Sequence, residues 1–432
     1  MLSDHLAGGI ELRNLSRFTQ ILVGSYRIAY GTGLSFGRAM GMSKSGDVTG
    51  NVNRNTTKLR LNSSSLETTG FTGVAARLRL GNHVAQGFVA RTPRDGEIDG
   101  SSVNLSTSGI HTTDGMIARR NNLAEDLAGA AYILQTETAE MGVQAAGLRY
   151  TTWDGSLTSA GDRFGCIWFT NSRISHETAV DNSGNRAHFS AVRLRQQSVS
   201  LSLAHRWYDP EYSAPFSRGF SEWSGTANES GFYAGLRWDI SGVRFQMYID
   251  RFRELAADDY PPREGTEALF RATWRPASRM QIKTQFITEQ KEVNQTDIVR
   301  GISVRRNRFR RKYKYRFEWR YRWLSSLACQ VRIDGVRIFH KGRDFNGIQG
   351  GYEVGYTFRE NLQITFHSVP YFVESSLVST YYYLMPALGT MQLSRQTGQG
   401  ILYVCSLTHD ISESKRWSFF YLHDRSLSGI LS

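Results

Sequence analysis

Along KYKYRFEWRYRW, from Lys312 to Trp323, an aromatic ring stands at every odd position and a charged side chain at every even one. A strand sends successive side chains to opposite faces, so Tyr313, Tyr315, Phe317, Trp319, Tyr321 and Trp323 share one face. Lys312, Lys314, Arg316, Glu318, Arg320 and Arg322 share the other. A helical period would scatter both kinds around the cylinder. The same two-residue period recurs between turn signals in VAARLRL, SVSLSLAHRWY, FYAGLRWDI, VRFQMYIDRF, MQIKTQFITEQ, ACQVRIDGVRIF, GYEVGYTF and LQITFHSVPYF. It predicts consecutive antiparallel strands, roughly 20 to 22 in all, the number of a large barrel. Connections alternate. They are tight at Gly81-Asn82, Gln196-Gln197, Ser241-Gly242, Pro276 to Arg279, Ser325-Ser326 and Glu360-Asn361. They are long at Asp209 to Ser230, Arg253 to Gly265, Lys291 to Arg310 and His340 to Gly347. Barrels of the outer membrane segregate short and long connections to opposite sides in this way. One stretch breaks the period: HTTDGMIARRNNLAEDLAG, from His111 to Gly129, carries Met116, Leu123 and Leu127 at helical spacing before a Gly stop, predicting a short loop helix near 112–127.

Strand length turns this pattern into a membrane reading. Twelve residues at about 3.3 Å each, tilted by about 45°, cross roughly 28 Å, close to the hydrocarbon thickness of a bilayer. Mean hydropathy is only -0.39, as expected when every second residue meets lipid. No run approaches the roughly 18 apolar residues of a transmembrane helix; LAGAAYIL is far too short. The net charge of +13 calls for an anionic partner. Cys166, Cys329 and Cys405 are odd in number and far apart, and Cys329 reads as a small apolar side chain facing lipid. No basic-then-apolar leader opens MLSDHLAGGIELRN, and SLSGILS lacks a terminal aromatic residue. The expectation is a barrel incomplete at its N-terminus.

Candidate chemistry is sparse. In the cluster RRNRFRRKYKYR, from Arg305 to Arg316, rings and cations of the strand part lie on opposite faces, whereas single-strand nucleic-acid binders place both on one surface. The cations Lys312, Lys314, Arg316, Arg320, Arg322 and Arg332 are therefore expected to face the lumen and the rings to face lipid, with no direct nucleic-acid binding by this chain. His188 and Ser190 project from one strand face and resemble the His-x-Ser pair of outer-membrane phospholipase, but Ser202 stands where an orienting asparagine would be. Asp258-Asp259 and Glu137-Glu140 lack the spacing of a calcium loop, and no metal or cofactor is expected. GTGLSFG lies between strand-like runs with no helix following, so its glycines read as tight turns rather than a phosphate cradle.

Three stretches read together resemble a known family. ILVGSYRIAYGTGLSFGRAMGMSKS, GIHTTDGMIARRNNLAEDLAG and RWYDPEYSAPFSRGFSEWSGTANESGFYAGL look like the barrel region of bacterial helix-hairpin-helix-containing outer-membrane proteins, and the likeness continues through MYIDRFRE, TFHSVPYFVESS and STYYYLMPALGTMQL. It singles out Gly31, Gly33, His111, Asn228, Glu229 and Gly231, with Thr32 departing from the family's usual glutamine. The resemblance implies an outer-membrane location in a Gram-negative bacterium. It also implies a periplasmic DNA-binding module in the full-length protein and a possible link to DNA uptake; that module is not in this sequence. The combined expectation is one all-β domain over 1–432, a non-enzymatic channel or anchor for envelope transport in contact with outer-membrane lipid or lipopolysaccharide. Its alternatives are a lipid hydrolase using His188 and Ser190, and a soluble β-rich binding protein.

Overall fold

Strand His83–Arg94 shows the rule that builds the molecule: its residues alternate strictly between exposed and buried, with Val89 in the exposed set and a buried set that mixes Val84 and Phe88 with Gln86 and Arg94. A strand of a water-soluble sandwich turns its apolar set inward. Here Val74, Val143 and Ile167 are exposed while Glu125, Glu177, Arg206 and Glu229 are buried, the polarity of a strand whose outer face meets hydrocarbon. The computed structural model describes all residues except 1–6, 38–43, 45–46, 51, 53–56, 65–69, 101, 107–110, 224, 258, 301, 359–360, 385–391, 413–414 and 427–432. Asp258, Glu360, most of SLSGILS and the middle of STYYYLMPALGTMQL thus lie outside the described residues.

The fold class is the expected one, all-β and antiparallel, of the transmembrane-barrel type, with 21 strands in its main sheet. The chain divides into two compact units. In the first, Phe18–Ala29, Phe71–Leu80, His83–Arg94, Leu123–Gln135, Ala139–Thr152, Asp162–Asn171, Ile174–Val180 and Arg186–Gln196 pair each with the next, all antiparallel. In the second, the meander runs from Val243–Arg253 through Glu264–Ala277, Met280–Val299, Ile302–Arg322, Leu327–His340, Arg343–Phe358 and Leu362–Val373 to Gly398–Ser412 and Lys415–Ser426. Among the described residues, tight turns fall at Gly81-Asn82 and Ser241-Gly242 as expected, and the one expected at Gln196-Gln197 falls one residue later. At Ser241-Gly242 both residues have positive φ, 47° and 78°, as a two-residue hairpin turn demands.

Three expectations are corrected. The helix covers only Asp114–Ala118, capped by Thr113; Leu123 and Leu127 lie in strand Leu123–Gln135, both buried, so their spacing of four is two strand periods rather than one helical turn. Residues 291–310 are not a loop: Met280–Val299 and Ile302–Arg322 pair to their tip at Val299 and Ile302. The polar run that suggested a loop is a ladder of cross-strand charge pairs, with Asp297 meeting Arg306 and Arg308. Residues 340–347 likewise reduce to a turn at Lys341-Gly342, with His340 opposite Arg343.

Candidate functional site

On the packed face of the first unit, the chain leaving strand Phe18–Ala29 folds down onto the sheet instead of turning into the next strand. Gly31 and Gly33 have φ of 49° and 95°, conformations that glycine adopts without strain, and they aim three successive backbone N–H groups at one carboxylate. Glu177, fully buried on strand Ile174–Val180, accepts from the N–H of Thr32, the Thr32 hydroxyl at 2.7 Å, the Gly33 N–H at 3.0 Å and the Leu34 N–H at 3.1 Å. A buried carboxylate is tolerated when donors replace its lost hydration, and such a nest supplies them. The glycines are therefore not tight barrel turns, as expected from sequence, but the bend of an inward segment. A Cβ at Gly31 would stand 2.6 Å from Glu177 Oε2 and 3.1 Å from Trp168 Cβ.

The same segment is pinned along its length. Ser35 Oγ lies 3.0 Å from Gln144 Oε1 and 3.1 Å from Cys166 Sγ. Phe36 sits among Phe71, Phe88, Phe164 and Phe216, with ring centroids 5.3 to 6.2 Å away. The connection 209–228 covers it: Tyr212 donates its hydroxyl to the Leu34 carbonyl at 2.8 Å, Arg218 N–H donates to Gly33 O at 2.8 Å and Gly37 N–H to Phe216 O at 2.9 Å. Burial pushes the phenol of Tyr212 well above its usual range, so it is a neutral donor.

A second buried carboxylate fastens the covering connection. Glu229 pairs with Arg206 and accepts from the N–H groups of Glu222 and Trp223 at 3.0 and 3.1 Å. Gly231 makes room for the guanidinium, since a Cβ there would stand 2.4 Å from Arg206 Cζ. Asn228, at φ 49°, accepts at its side-chain oxygen from Leu255 and Ala256 N–H, both at 2.9 Å. His111 meets Asp95 at 2.7 Å, and Asp95 also accepts the Asn121 N–H at 2.8 Å. All six family-motif positions thus fall at points where a connection is tied down. Their partners Glu177, Arg206 and Asp95 were not singled out from sequence.

In the second unit the even residues of KYKYRFEWRYRW share their face with acidic partners. Arg316 and Arg332 both reach Asp334 at 2.6 Å, Lys283 reaches Glu318 at 3.2 Å, and Arg332 lies 5.6 Å from the Tyr382 ring. Lys312 and Lys314 are half-buried on this face, while Arg320 and Arg322 are exposed near the strand end. On the opposite face Tyr315, Phe317 and Trp323 are exposed, and Tyr313, Trp319 and Tyr321 half-buried.

His188 and Ser190, the pair of the alternative hydrolase reading, do not bond to each other. Ser190 Oγ lies 2.9 Å from Nδ1 of His176 on the neighbouring strand, its direct cross-strand partner in the ladder. His188 Nδ1 instead meets Thr178 Oγ1 at 2.9 Å. Ser202 points to the packed face, donating to the Thr49 carbonyl at 2.9 Å. The three cysteines are free thiols.

No family model and no curated protein matches the chain. Among solved structures it is similar to OmpT, an outer membrane protein of Vibrio cholerae, at 7% identity and a TM-score of 0.36 over 78% of this chain and 99% of that one. It is similar to an anion-selective porin from Comamonas acidovorans at 9% identity and a TM-score of 0.33 over 69% and 100%. The copper transporter OprC aligns at 10% identity and a TM-score of 0.41, over 83% of this chain and 59% of that one.

Proposed function

We propose that the chain is a channel-like outer-membrane β-protein of a Gram-negative bacterium, acting in envelope transport, whose path along the first unit's packed face is occupied by its own segment 30–37. The observation that carries this reading is Glu177. A fully buried carboxylate given to three consecutive N–H groups is costly scaffolding for a mere turn, and it is the charge-assisted anchor among the contacts that hold the segment down. The large apolar side chains exposed on the outer face, among them Val74, Val143 and Ile167, support the membrane location. The link to DNA uptake rests on the family resemblance alone, as does a DNA-binding module elsewhere in the full-length protein.

Conductance in planar bilayers tests the reading. The natural protein should show low steady conductance with rare openings, and Glu177→Gln, which turns an amide donor towards the N–H nest, should raise the open fraction severalfold. Equal conductance of the two proteins, with segment 30–37 equally protected from amide exchange in both, would refute it.

A further inference from the structure

The outer face of the first unit carries a polar patch. Around it that face is apolar: Ile167, Ile174, Val180 and Val192 are each 40% exposed or more. Within it stand His176 and Thr178 on one strand and His188 and Ser190 on the next, paired in register as His176 with Ser190 and Thr178 with His188. Polar side chains aimed at hydrocarbon are expensive, and where they are kept they mark function.

Their hydrogen bonds form one chain: Ser190 Oγ to His176 Nδ1 at 2.9 Å, His176 Nε2 to Thr178 Oγ1 at 3.2 Å, and Thr178 Oγ1 to His188 Nδ1 at 2.9 Å. His188 in turn lies against Trp207, ring centroids 5.6 Å apart. Read with the serine as donor, each of the three bonds has one donor and one acceptor. Ser190 donates to a neutral His176, whose other nitrogen donates to Thr178, which donates to His188. The imidazole is thereby held in the tautomer that can take the serine proton, the arrangement of an activated nucleophile, its base and an orienting third group. Both Ser190 and His176 are exposed.

We propose that Ser190 and His176 form a catalytic pair that hydrolyses carboxylic esters of membrane lipids, with Thr178 as positioning residue. The proposal rests on the outer-membrane reading, because it needs the outer face to meet lipid. Ser190 is four residues into strand Arg186–Gln196, about 9 Å from the strand's start along the bilayer normal for a tilt of about 45°, so a lipid ester reaches it from the side of that start. Ser190 Oγ attacks the ester carbonyl while its proton passes to His176 Nδ1. The ester C–O bond breaks, and the departing alcohol takes that proton. Water then attacks the acyl-serine, giving its proton to His176, and the fatty acid leaves with Ser190 restored.

The test uses the full chain in mixed micelles with two substrates, a thioester phosphatidylcholine read by thiol release and an acylated lipid A read by fatty-acid release; turnover of one or both identifies the lipid source. A fluorophosphonate probe should label Ser190, and Ser190→Ala and His176→Asn should each lower turnover by at least about 100-fold. Thr178→Val should lower kcat without moving KM, and Thr178→Ser should restore it. Ile167→Cys reports separately whether the outer face is shielded from a water-soluble thiol reagent. Shielding without labelling or turnover overturns the proposal. Turnover without shielding upholds the pair and refutes the membrane location instead.

Discussion

At Gly31, replacement by alanine meets two penalties at once: a left-handed backbone, costing roughly 1–2 kcal/mol, and a collision with the Glu177 carboxylate. Gly81 separates them, because it has φ 59° and open space around its Cα. Gly81→Ala should therefore cost about 1 kcal/mol and Gly31→Ala roughly 2–4 kcal/mol in urea unfolding from micelles; equal losses would mean that the contact with Glu177 is slack. Asp154 gives a pH-dependent prediction outside the strands. The Thr152 hydroxyl and the Ser156 N–H and hydroxyl hold its carboxyl down to about 2. A depressed folded pKa means the turn 152–157 is stabilised above the ordinary carboxylate range and loses that support as pH falls from about 4 towards about 2. Amide exchange at Ser156 should accelerate across that window in the natural protein and stay flat in Asp154→Asn. Residue roles were half legible in the sequence. Gly31, Asn228, Glu229 and Gly231 stood out by resemblance, but nothing in ISHETAV marks Glu177, which alternates with small neighbours as any strand residue would. Its role comes from a segment more than 140 positions away in the chain, a distance no local pattern spans.

Strands were the most legible level, since their period of two is local and keeps one residue set exposed and the other packed. Elements were misread where polar content imitated something else. The tip of the hairpin 280–322 looked like a loop because Asp297, Arg306 and Arg308 satisfy one another across the ladder rather than packing an apolar face, and the supposed helix borrowed Leu123 and Leu127 from a strand. Strand Ile302–Arg322 also yields a prediction. Phe317 is 40% exposed on the outer face, so Phe317→Arg should cost roughly 2 to 4 kcal/mol if that face meets the bilayer core. Arg316→Gln removes one of two guanidinium partners of Asp334, which keeps Arg332 at 2.6 Å and Gln349 at 2.8 Å; it should cost about 1 kcal/mol. A folding titration that reverses this order would show that the ionic face, not the aromatic one, is turned to the surroundings.

For the whole molecule the decisive question is what solvent bathes the outer face, and the chain's own tryptophans answer it. Trp274, Trp323 and Trp417 are 45%, 58% and 51% exposed on strands or their ends, whereas Trp168 is 3% exposed on the packed face, its indole N–H donated to Glu140 at 2.9 Å. Bromine on acyl chains quenches indole fluorescence only at contact range. In vesicles of brominated phosphatidylcholine, the exposed rings should be quenched and Trp168 should not. Replacing Trp274 or Trp417 by Phe should then lower the quenchable fraction, and Trp168→Phe should raise it by removing unquenched emission. A water-bathed outer face gives another result: brominated lipid quenches nothing, while aqueous iodide quenches Trp274, Trp323 and Trp417 together. Because the burial pattern assigns each ring to a face before any label is added, a mixed outcome is informative too. Quenching of Trp168 by lipid would mean that the packed face of the first unit is open to acyl chains, and the carboxylate-held segment 30–37 would then have to lie elsewhere.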